Sequence, residues 1–157
     1  MTTLLGSKPI ESIPVPYAGK AKDDSKAGGI VSFINLPAGA SGLVFFNLTM
    51  NNDEKGFFAP RILIAPAIAI LKTLPGDMLF KGSKPDGFVQ WVLPPGGANV
   101  SGKDHHYSPG TLCQPFSVSG PATIVGLVRG NVRPGFLTGS GGSKIGIENV
   151  TFRVETV

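Results

Sequence analysis

An all-β fold is what this sequence predicts: a single-domain antiparallel β-sandwich, jelly-roll-like in plan, carrying an extended N-terminal arm. Three observations point there. Gly and Pro supply 22 and 14 of the 157 residues and fall between short apolar runs, the punctuation of strands joined by turns. Val44, Phe46, Leu48 and Met50 share one face of a period-two run, with Asn47 and Thr49 on the other, as a half-buried strand requires. Charged residues make up only 15%, whereas helical bundles and coiled coils need abundant Glu, Lys and Ala and few Gly or Pro.

Taken in order, residues 1–29 form the arm and residues 30–157 the sandwich. Pro9, Pro14 and Pro16 hold the arm extended and remove backbone donors. Leu4, Leu5, Ile10, Ile13, Val15 and Tyr17 are spaced apolar residues suited to docking on a neighbouring subunit, and Gly19–Gly29 is a small, charged tether. Strands are expected at Ile30–Leu36 and Leu43–Met50. The runs Arg61–Ala65 and Ala67–Thr73 flank Pro66 and are apolar on every side. Met78–Lys81 and Phe88–Leu93 follow, then a long loop over 94–111. Thr111–Val118 and Ala122–Arg129 precede a glycine-rich loop over 130–143. In the last run Ile145 and Ile147 are odd-numbered, whereas Val150, Phe152 and Val154 are even. One extra residue near Glu148-Asn149 restores a common face, which predicts a β-bulge. Phe46, Trp91, Ile124 and Phe152 are expected in the core, and Cys113 as a buried, inert thiol.

The chemistry-bearing residues are sparse. The net charge is +4, but the basic residues are scattered, so the basic stripe of a nucleic-acid binder is missing. One cysteine cannot make an intrachain disulfide. No apolar run approaches the roughly 18 residues of a membrane helix, and Met1–Gly6 lacks the pattern of a signal peptide; a soluble protein made in a cytosol is expected. No CxxC, HxH, HExxH or GxSxG occurs, so no metal, cofactor or catalytic centre is expected. The most chemical-looking segment is Asp104-His105-His106-Tyr107, yet adjacent histidines on one strand point to opposite sides.

An extended, Pro-containing arm, a compact sandwich with Gly/Pro loops and low charge together make a plan that resembles small jelly-roll capsid and capsid-cement proteins over most of the chain. That resemblance implies a non-catalytic structural subunit of a virus or phage shell, resident in the virion after assembly in host cytoplasm. Its partners are then copies of itself or a larger shell protein, bound through the arm and sheet edges. Two other classes compete. One is a carbohydrate-binding module or lectin using the two long loops with Trp91, His105, His106 and Tyr107. The other is a small β-barrel enzyme centred on Asp104, His105 and His106.

Overall fold

The structure, a computed structural model, describes residues 2–15, 25–54, 62–81, 85–93, 98–100, 105–132 and 143–157. These residues contain strands and turns and no helix. In chain order the strands are β1 (Thr2–Leu5), β2 (Ser12–Val15), β3 (Ser25–Leu36), β4 (Ser41–Glu54), β5 (Ile62–Leu71), β6 (Leu79–Lys81), β7 (Phe88–Leu93), β8 (Ala98–Val100), β9 (His105–Tyr107), β10 (Leu112–Ser117), β11 (Ala122–Val132) and β12 (Ser143–Thr156).

Two antiparallel sheets form a sandwich. Sheet I runs β1–β12–β4–β10, with β2 alongside β12 and β9 alongside β4; sheet II runs β6–β3–β11–β5–β7, with β8 alongside β5. Among the long strands, β3, β4 and β5 alternate between sheets, and so do β10, β11 and β12. That alternation winds the chain around one interior, in the jelly-roll manner the sequence predicts. The interior follows the period-two pattern. Val44, Phe46, Leu48 and Met50 of β4 meet Ile68, Ile70, Ile124 and Val128 of sheet II in one buried cluster. At its centre the rings of Phe46 and Phe152 sit edge to face, 5.5 Å between centroids, a favoured aromatic geometry. Gly126 makes room for them, since a Cβ there would lie 2.9 Å from the Phe46 ring. Phe46, Ile124 and Phe152 are buried as expected; Trp91 is only half-buried and packs elsewhere.

The predicted bulge is present. The β12–β4 register shifts between Glu148 and Thr151, and Asn149 takes φ +52°, a left-handed conformation that Asn tolerates better than most side chains. Pro66 lies inside β5, which is one continuous strand. It falls opposite the break between β8, which pairs Ile62–Ile64, and β7, which pairs Ile68–Leu71; sheets tolerate a missing N–H at such an edge.

Four expectations are corrected. The arm is not a free arm: β1 pairs with residues 153–156 and β2 with residues 143–146, both along the same edge of β12. Between them Gly6 N–H donates to the Phe152 carbonyl and Ile147 N–H to the Glu11 carbonyl, while Ser7 bridges to Phe33 of sheet II. Leu4, Ile10 and Ile13 thus pack on the chain's own sandwich. The boundary near residue 29 also moves, because β3 begins at Ser25. Within the 94–111 loop, β8 adds to sheet II and β9 to sheet I; backbone pairing at sheet edges needs no apolar alternation, so the pattern gave no sign of it. Finally, Cys113 is exposed, because it alternates with the inward-packed Leu112 and Phe116 of β10.

Candidate functional site

The two sheets present outer faces of opposite character. In sheet II, β5 and β11 are apolar at both parities. Ile68, Ile70, Ile124 and Val128 point into the sandwich, so Ala67, Ala69, Leu71, Val125 and Leu127 point away from it. These outward residues are nonetheless fully buried. The cover is the segment leaving β5. It passes to β6 on the far side of β3 and returns to β7 on the far side of β5. Leu74, Met78 and Phe80 pack onto the sheet from this strap, and Phe88 and Trp91 from its return. Backbone bonds tie it down: Ile30 N–H donates to the Met78 carbonyl at 2.8 Å and Lys72 N–H to the Gly87 carbonyl at 3.1 Å. Gly28 is where Phe80 lies on the sheet; a Cβ there would come within 2.2 Å of the ring.

Trp91 closes one margin of this second core. Phe88 lies 4.9 Å from it between centroids, and the Arg129 guanidinium stands 5.4 Å from its ring centroid, a cation–π distance. Arg129 Nε is buried without a hydrogen-bond partner, and this burial pushes the guanidinium pKa below its ordinary value while leaving it charged at neutral pH.

On the outer face of sheet I the described side chains are partly or fully exposed. The register places Leu5, Arg153, Phe45 and Cys113 in one row across four strands. The adjacent row is Thr3, Glu155, Leu43 and Pro115. All are of the parity opposite to the core residues Val44, Phe46, Phe152 and Val154. Leu5 is 77% exposed and Leu43 38%, and Cys113 and Pro115 are exposed beside them. Arg153 lies over the Phe45 ring at 4.0 Å and its Nε is 3.6 Å from Glu155 Oε1. Toward the other end the face turns polar, with Asn47 donating to Thr111 Oγ1 at 3.4 Å and the Thr49 and Ser108 hydroxyls 2.8 Å apart. Such a surface can bury apolar area against a partner and offers Arg153 and Glu155 as a cation and an anion beside it.

Of the residues predicted for subunit contact, Ile13 is fully buried in the chain's own core, with Leu4 and Ile10 packed against it. They bind in cis, which corrects their expected role. Among the described side chains of the set, Leu5 alone points outward and is exposed. Tyr17 and the Val15 side chain lie outside the described residues, as does Asp104. For the ligand alternative, His105, His106 and Tyr107 form β9, whose backbone pairs with Asn52, Asn51 and Met50 of sheet I; their side chains lie outside the described residues. Trp91 belongs to sheet II, so the structure does not gather these residues on one sheet. Sequence reasoning missed Leu43, Phe45, Arg153 and Glu155. The signal was present in Leu43–Phe46, where four successive apolar residues put two on the outer face.

Among the described residues no three His, Cys, Asp or Glu side chains come together, and no helix is long and apolar enough to cross a membrane. A shallow groove of about 540 Å³ opens at one end of the sandwich, lined by Thr2, Leu4, Asn35, Pro37–Ala40, Thr156 and Val157.

No protein-family model matches the chain, and no curated protein matches its sequence. Among solved structures, that of infectious bursal disease virus, Gx strain, is similar with a TM-score of 0.44 and 12% identity. The match covers 99% of this chain and 31% of that one, so this chain spans about a third of its neighbour's length. At that score the likeness carries no argument about function.

Proposed function

We propose that the chain is a non-catalytic structural subunit of a virus or phage shell, resident in the virion and held to copies of itself by the outer face of sheet I. One observation carries this reading: the rows through Phe45 and Leu43 leave Leu5 and Leu43 exposed and Phe45 half-buried on the outer face of sheet I, in a chain that buries Ala67, Ala69, Leu71, Val125 and Leu127 on the outer face of its other sheet. Contiguous exposed apolar surface on a folded domain marks an interaction site more often than it marks chance. The low charge of the sequence and the sandwich architecture accord with the same role. The expected arm contacts are replaced by contacts from the sheet face, since residues 2–15 are engaged within the subunit.

The experiment is sedimentation and electron microscopy of the purified chain from about 1 μM to about 1 mM, the range in which modest protein interfaces associate. Oligomers heavier than the 16.3 kDa monomer are expected to grow with concentration. A monomer throughout that range overturns the reading. Binding of sugar at Trp91, the one tryptophan, would instead change its fluorescence on titration with glycans. No change is expected, because Arg129 and Phe88 already flank the ring.

A further inference from the structure

We infer that the occupant of sheet I's outer face is a second copy of the same face, docked about a two-fold axis that runs across the strands at the level of Val154, Val44 and Gln114. This rests on the shell-subunit reading and deepens it by naming the contact. Those three residues are aligned by register, and they lie midway between the two outward rows. A two-fold axis in the plane of the interface reverses position along the strands and preserves position across them. It therefore sets each row of one copy against the other row of its partner.

The consequences are specific. Arg153 of each copy faces Glu155 of the other, so the single cation and single anion of these rows are satisfied twice over. Phe45 faces Leu43, and Cys113 faces Pro115. Like charges meet nowhere in these two rows. Charge complementarity of this kind fixes register and excludes wrong pairings more than it adds affinity, and an isologous contact of this kind closes a dimer. Stacking at the usual ~10 Å between sheets with strands nearly aligned suits two antiparallel faces. Four strands about 4.8 Å apart and the seven residues of β4 centred on Val44, each about 3.4 Å, outline roughly 450 Å² per subunit. The pair then buries roughly 900 Å², just under the roughly 1,000 Å² of a stable specific interface, so a weak dimer is expected rather than an obligate one.

Sedimentation equilibrium on the wild type, Leu43→Glu, Arg153→Glu and the exchanged double variant Arg153→Glu/Glu155→Arg tests this. Thermal melts confirm that each outward substitution leaves the monomer folded. Leu43→Glu should weaken association at least tenfold, and Arg153→Glu about tenfold by placing carboxylates opposite carboxylates. The exchanged pair should recover most of the loss. A short bismaleimide should join Cys113 to its symmetry mate, since the two lie about 7 Å apart along the strands across a ~10 Å gap; Leu43→Glu should abolish the link. Wild-type association that Leu43→Glu leaves untouched, with no cross-link, overturns this face, and with it the observation that carries the shell reading, while self-association stands. Loss on Arg153→Glu without recovery in the exchanged pair overturns the two-fold register. A wild type that never associates overturns both.

Discussion

The outer faces of the two sheets show what one chain does with surplus apolar surface when it has a cover and when it has none. Sheet II is apolar on both sides of β5 and β11, and the chain closes its outer side with a strap that carries Leu74, Met78 and Phe80. The smaller residues Ala67 and Ala69 on β5 let that strap lie close. Sheet I carries fewer outward apolar residues, two on β4 followed by Asn47, Thr49 and Asn51, and no segment of the described chain crosses it. Complete burial in one place and half-exposure in the other follow from where the connections run. An internal cover makes a surface structural, whereas an uncovered one is available to another subunit.

That contrast can be broken from beneath, from the covered side or from the bare side. The largest effect is expected at the floor both sheets share. Phe46→Ala removes half of the Phe46–Phe152 pair and leaves a cavity against Gly126, which should cost about 3–5 kcal/mol in chemical denaturation. On the covered face, Gly28→Val drives a side chain into the Phe80 ring and should cost about 1–3 kcal/mol, the usual range for overpacking. Hydrogen exchange should then locate the loosening in residues 72–81. If exchange there were unchanged, the strap would not be held as described. On the bare face, Leu43→Ser and Leu5→Ser should shift monomer stability by less than about 0.5 kcal/mol, as exposed substitutions do. A loss above 2 kcal/mol at either would mean that the face is already covered.

Much of this architecture was legible in the sequence, and what was hidden was hidden for physical reasons. The alternation in β4 fixed its inner face, and the slip of phase in β12 located the bulge at Glu148-Asn149 to the residue. The run from Ala65 to Leu71 read as apolar on every side, which is the mark of a strand covered twice, but nothing local said that residues 72–81 supply the cover. Leu4, Ile10 and Ile13 read correctly as residues that dock. Whether they dock on their own subunit or on a neighbour depends on an edge of β12 more than 125 residues away. Cys113 was misplaced because its burial was inferred from residue type, whereas the parity of Leu112, Gln114 and Phe116 puts it outside. For the candidate site, Leu43 and Phe45 were visible as excess apolar residues, but their row with Arg153 and Cys113 exists only once the strand order is known.

The central claim, that subunits meet on the outer face of sheet I, is tested most directly by cross-linking through Cys113. It is the one thiol in the chain, it is exposed in the single subunit, and it sits at the end of the row through Phe45. The yield of Cys113–Cys113 link with a short bismaleimide should be negligible in dilute protein and should rise at least about tenfold as association proceeds by mass action. A yield that stays at the dilute level in fully associated protein would contradict the claim, since the subunits would then meet on some other surface.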